Sequence, residues 1–206
     1  MSQTARVVVT SGQSFEVREY PVPDPAPGTI LLKQEMAGIC GTDLHNWQNG
    51  IDGEVTMGHE PVGILAALGK GVSHDYLGNP VKEGDRVTLH PRNNGLAYGF
   101  RDPETDPFCG GFADYLYLSE PGSCFVRTEA PPEVMVLAEP FAIGVHSAMR
   151  ANVQIGDTVI VQGSGAIGLL TLVCAKISGA ARTILVGGPK GPVSYTHLRA
   201  HETLTD

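Results

Sequence analysis

The sequence predicts an α/β chain in two parts: a β-rich first part, then the opening of a nucleotide-type β-α-β unit. Three observations carry this expectation. The first part is built of short strand-type runs, the second alternates buried strands with apolar helices, and a G-x-G-x-x-G loop stands at the junction of one such strand and helix.

The strand-type runs are ARVVVTS, SFEVREYPV, GTILLKQEMAG, EPVGILAALG, GDRVTLH, GGFADYLYLS and SCFVRT. Gly, Pro, Asn and Asp punctuate them, which predicts a β-rich domain rather than a helical bundle. From EPFAIGVHSAMRA the pattern changes to a helix, then DTVIVQG as a buried strand, GSGAIGLLTLVCAKISGA as a helix and RTILVGG as a second buried strand. The expected organisation is a β-rich domain over residues 1–150, the start of a nucleotide-binding domain over 151–192, and a separate tail over 193–206.

Composition narrows the function. A chain of 206 residues, 42% hydrophobic and 17% charged, is long enough to bury a core. No apolar run approaches the roughly 20 residues that span a bilayer, and the start MSQTARVVVTSG lacks the basic-then-apolar layout of a signal peptide, which predicts no membrane partner and a cytoplasmic location. A formal net charge of −8 with no basic run argues against nucleic acid and for a small-molecule partner.

Gly163, Gly165 and Gly168 form the G-x-G-x-x-G pattern, and Ala166 and Ile167 lie between the last two glycines. Glycines at this spacing allow a tight turn, close approach of a pyrophosphate and close helix–strand packing, with helix N–H groups facing the phosphates. About 20 residues on, where an acidic residue holds the ribose 2′-hydroxyl of NAD, the sequence reads Gly187, Gly188, Pro189, Lys190. With no carboxylate to repel a 2′-phosphate and Lys190 to attract one, the expectation for this NAD(P) site leans to NADP.

The cysteines at 40, 109, 124 and 174 are too scattered for a C-x-x-C knuckle, and a reducing cytoplasm disfavours disulfides. Cys174 reads as a core helix residue and Cys124 as a strand residue. Cys109 stands in a loop before Gly110 and Gly111.

Two segments carry metal-type chemistry: GICGTDLH at 38–45 and MGHEPVG at 57–63. With AEPFAIGVHSA and the glycine loop in the same order, they resemble the zinc-dependent medium-chain alcohol and polyol dehydrogenases from about Ala5 to Gly191. The resemblance implies a GroES-like catalytic domain followed by a truncated Rossmann dinucleotide-binding domain. It implies Cys40 and His59 as ligands of one catalytic Zn2+, with either Glu60 or Glu139 as the carboxylate. His59 and Glu60 are neighbours, and on a regular strand they would face opposite ways, so the backbone must depart from extended geometry there; Gly58 and Pro61 permit that. Glu139 is expected at a helix N-terminus with Pro140 at the first helical position.

Thr42 and His45 match the family's proton relay, and Asp43 the carboxylate that orients the ligand histidine; read alone, T-D-x-H fits a simple turn. Many members hold a second, structural zinc on four close cysteines. The corresponding region, HPRNNGLAYGFRDPETDPFCGG, has only Cys109, which predicts one zinc per chain. His90 is expected to end a strand and His146 to pack on a helix. The implied reaction is hydride transfer between a secondary alcohol or polyol, or the matching carbonyl, and NAD(P), in a homo-oligomer. Two rivals are a non-catalytic zinc- or nucleotide-binding protein on the same scaffold and a shortened, inactive chain.

The ending, GPVSYTHLRAHETLTD, places His197 and His201 four residues apart with Glu202 behind, a helical zinc pattern in outline. It also resembles one reading frame of a transposon-end sequencing adapter, so residues 193–206 are expected to be non-native and outside the site. Family members add further β-α units after the second strand, so the 206-residue chain is expected to lack turnover.

Overall fold

Strand β1 (Thr4–Gly12) buries Ala5, Val7 and Val9 at alternate positions, the period of a strand with one packed face. The structure is a computed structural model that describes residues 3–90, 92–93 and 96–187. β1 pairs antiparallel with β2 (Ser14–Pro21) on one side. On its other side lies β4 (Ile51–Thr56), which follows β3 (Ile30–Gly38) and helix α1 (Gly41–Asn49) in the chain.

A second sheet holds the main core. It contains β3, β5 (Glu60–Leu68), β6 (Arg86–Leu89), β9 (Tyr115–Leu118) and β10 (Phe125–Arg127), in the order β10-β6-β5-β3-β9. Between β6 and β9, β7 (Arg92–Asn93) and β8 (Leu96–Ala97) form a two-residue ladder. β3 and β5 are interior, and their consecutive buried residues, such as Ile30, Leu31 and Leu32, show that both faces are covered. Ile30, Leu32, Leu65, Val87, Leu116 and Leu118 pack together in this core.

Helix α1 is fastened to the first sheet at its far end. Trp47 donates from Nε1 to the Gln13 carbonyl at 2.7 Å and stacks on Phe15 with centroids 5.8 Å apart. The start of α1 is thereby held where β3 ends.

The chain divides into two units between Ala138 and Glu139, ahead of the boundary at residue 150 that the sequence pattern suggests. α2 (Pro132–Met135) closes the first unit, and α3 (Ala138–Arg150) passes into the second. There Gly144 of α3 lies so close to α4 (Ala166–Ile177) that a Cβ would come within 2.9 Å of the Leu170 backbone, which ties α3 to the second unit. β11 (Thr158–Gln162) and β12 (Arg182–Val186) are parallel with α4 between them, the expected β-α-β unit. α3 starts at Ala138, so Pro140 is its third residue, not its first. A first-turn proline is tolerated because those N–H groups have no intrahelical acceptor.

Candidate metal centre and nucleotide loop

Cys40 caps α1 in extended geometry (φ −74°, ψ 152°), so the T-D-x-H segment is a helix start rather than a simple turn. Asp43, on the third helical residue and 2% exposed, accepts a hydrogen bond from the Cys40 N–H at 2.9 Å through Oδ2. Its other oxygen, Oδ1, lies 3.5 Å from His59 Nδ1. One buried carboxylate therefore holds the backbone of one ligand candidate and the ring of another. With Nδ1 turned to Asp43, Nε2 is the His59 nitrogen left for a metal.

His59 precedes β5, and the departure from strand geometry occurs one residue earlier, at Gly58, with φ +95°. A Cβ on Gly58 would come within 2.9 Å of the Phe112 nitrogen and 3.0 Å of the Gly111 carbonyl carbon. The turn thus needs both the left-handed conformation and the absent side chain. It lets His59 and its neighbour Glu60 reach the same place: ligand atoms of Cys40, His59 and Glu60 all lie within 4.8 Å of one another. Among the described residues this is the one group of three or more His, Cys, Asp or Glu side chains so arranged.

The donor set fits zinc. A thiol, an imidazole and a carboxylate are its usual protein ligands, and three of them leave a position for water or substrate. The side-chain atoms His59 Nδ1 and Asp43 Oδ1 are buried without a well-formed hydrogen bond, the 3.5 Å approach being long for one. A cation drawing on the far ring nitrogen would strengthen that contact.

Asp43, first through the side-chain contact and also through its charge, raises the His59 pKa from 6.5 to about 9 against the opposing effect of burial. In the metal-free protein the charged pair stabilises the fold fully below the ordinary value of 6.5, and that contribution is lost as pH rises through about 9. Zinc bound at His59 would have to displace its proton below that range, so apparent zinc affinity is expected to rise with pH towards about 9. Competitive chelator titrations between about pH 6 and 8 check this; a flat profile contradicts it.

The other sequence-derived residues fall as follows. Thr42 and His45 are exposed on α1, three apart and so on one face, with Asn49 Nδ2 3.0 Å from His45 Nε2. Glu139 lies in the first turn of α3, in the second unit. His90 directly follows β6, and His146 is exposed on α3 rather than packed. Cys174 is a core residue of α4, and Cys124 sits just before β10. Cys109 is fully buried, and burial, with the nearby Asp106 charge, pushes its thiol up to about 12. Lys190, His197, His201 and Glu202 lie outside the described residues. Sequence reasoning gave no weight to Gly38, which opens GICGTDLH and stands opposite Glu60 in the β3–β5 register.

In the second unit the glycine loop has the expected form. Gly163 has φ +109° and donates its N–H to the Val186 carbonyl at 2.8 Å, and Gly165 caps α4, whose first residues are Ala166 and Ile167. A Cβ on Gly168 would overlap the Gly163 carbonyl oxygen, so only glycine allows this packing. Gly187 follows β12, and a Cβ there would come within 2.6 Å of Ser164 Oγ.

Residues 26–127 match the family described as alcohol dehydrogenase GroES-like domain. Among curated proteins the chain is 32% identical to sorbitol dehydrogenase of Gallus gallus, covering 89% of this chain and 55% of that protein, and 31% identical to the Homo sapiens enzyme, covering 87% and 54%. The chain spans about half the length of the curated relatives it matches. Galactitol-1-phosphate dehydrogenase from Escherichia coli superposes with a TM-score of 0.71 at 26% identity, covering 87% of this chain and 55% of that one. An alcohol dehydrogenase from Thermotoga maritima, 22% identical, shares the fold with a TM-score of 0.81 over 91% of this chain and 59% of its own. With the GroES-like match, the polyol dehydrogenase relatives and the Cys40–His59–Glu60 cluster together, the chain belongs to the medium-chain alcohol and polyol dehydrogenase family.

Proposed function

We propose that this chain supplies the metal centre and the first nucleotide-binding elements of a zinc-dependent oxidoreductase that moves a hydride between a secondary alcohol or polyol and NAD(P). The observation that carries the reading is the convergence of Cys40, His59 and Glu60 within 4.8 Å. Zinc held there would supply Lewis acidity towards an alcohol or carbonyl oxygen, and a nicotinamide would carry the hydride. Cys40, His59 and Glu60 hold the ion, and Asp43 orients the His59 ring. Glu139 is the other carboxylate proposed for this ion.

Thr42 Oγ1 would accept the alcohol proton while giving up its own hydroxyl proton, which would pass by way of the cofactor ribose to His45, exposed on the same helical face, and from there to solvent. If Asn49 donates from Nδ2, His45 Nε2 is the acceptor and its ring proton sits on Nδ1. One zinc per chain is supported by Cys109 being the lone cysteine of its loop, since one thiol cannot make a four-cysteine site. The nucleotide rests on Gly163, Gly165 and Gly168 at the α4 N-terminus. The lean to NADP is supported by Gly187, where an acidic side chain would collide with Ser164. No helix among the described residues is long and apolar enough to cross a membrane. A cytoplasmic location is proposed from the sequence pattern, and a homo-oligomer by resemblance.

Cobalt substitution tests the reading. The cobalt-loaded chain is expected to show thiolate charge-transfer absorption, and secondary alcohols or polyols to shift its d–d bands. A spectrum indifferent to alcohols and to the matching ketones would contradict a catalytic role and favour a metal-binding protein without one.

A further inference from the structure

Gly38 ends β3 directly opposite Glu60 in the β3–β5 register. Paired residues on antiparallel strands send their side chains to the same face, with Cβ atoms about 4.5–5.5 Å apart. Here one member has no side chain, and the other uses the space. A Cβ on Gly38 would overlap Glu60 Oε2 and stand 3.1 Å from Glu60 Cβ and 3.2 Å from Cδ. The glutamate therefore lies across the Gly38 α-carbon instead of standing upright.

The backbone does not ask for glycine at 38, since its φ is not among the left-handed ones. Space is the reason that remains. Cys40, two residues on, is itself extended (φ −74°, ψ 152°), Ile39 between them is 68% exposed, and the Cys40 sulfur and Glu60 carboxylate lie within 4.8 Å. A carboxylate lying over residue 38 is thus delivered beside the Cys40 thiol. We propose that Gly38 is a positioning residue of the metal centre: its missing side chain is the space through which Glu60 joins Cys40 and His59. The inference rests on the metal centre of the proposed function.

The test is a double-mutant cycle on zinc affinity with Gly38→Ala, Glu60→Ala and the double variant. Gly38→Ala is expected to weaken zinc by about 10–100-fold, as loss of a ligand's support does elsewhere. The loss should match that of Glu60→Ala and should not deepen in the double variant, where the collision is gone. In the cobalt form, Gly38→Ala should keep the Cys40 charge-transfer band while the d–d bands move. Unchanged affinity in Gly38→Ala, losses that multiply in the double variant, or loss of the thiolate band would each overturn the role. Zinc retained in both Cys40→Ala and His59→Ala would overturn the metal centre itself and this role with it, an outcome distinct from failure of the cycle alone.

Discussion

Cys40→Ala and His59→Ala each reduce zinc uptake from one equivalent per chain to background at micromolar metal. The three proposed ligands converge within 4.8 Å, and removing one would leave two protein donors, too few to outcompete water for the ion. A loss of at least about 100-fold in affinity, or about 2.7 kcal/mol, is expected for each. The fold should survive Cys40→Ala, because Asp43 accepts its hydrogen bond from the backbone N–H of residue 40, which alanine retains. His59→Ala leaves Asp43 Oδ1 buried without its ion-pair partner, so that variant should also lose some stability. Elemental analysis after gel filtration reads the zinc, and a full equivalent retained in either variant contradicts the assignment.

Gly58→Ala destabilises the first unit by about 2–4 kcal/mol, the sum of a left-handed alanine and an overpacked contact. The position has φ +95°, and the new methyl would meet the Phe112 ring at Cδ1 and the backbone at Phe112 and Gly111, so turning the ring alone would not relieve the contact. That backbone is itself fixed, since Phe112 donates to the Met57 carbonyl at 3.0 Å and Gly111 to the Gly58 carbonyl at 2.9 Å. Relaxation would have to move His59, so zinc affinity should fall with stability. Urea unfolding with and without zinc reads both; a variant as stable as the parent would mean that the turn is not what aims His59.

Much of this was legible in the sequence. Alternation in ARVVVTS, the buried runs DTVIVQG and RTILVGG, and the glycine spacing at 163–168 each reflect a local rule, and the strands, the parallel β-α-β unit and the capped α4 follow them. The irregularity between Gly58 and Pro61 was readable because two adjacent ligands cannot share a metal on a regular strand. What stayed hidden depends on contacts across the chain. The Gly38–Glu60 pairing is a matter of register, which no local pattern encodes. The helix at Gly41–Asn49 looked like a turn because its anchors, Phe15 and the Gln13 carbonyl, come from a distant hairpin. The unit boundary fell earlier than expected because α3 packs through Gly144 on α4, a contact between residues far apart in sequence.

X-ray absorption at the zinc edge of the zinc-loaded 206-residue chain tests the metal centre most directly, since it counts ligands by type. One sulfur at about 2.3 Å with nitrogen and oxygen donors at about 2.0–2.2 Å, including a single imidazole, is the expected shell. No sulfur with two imidazoles would place the ion on His197 and His201 instead, and a shell of several sulfurs would place it on a cysteine cluster; either result contradicts the account.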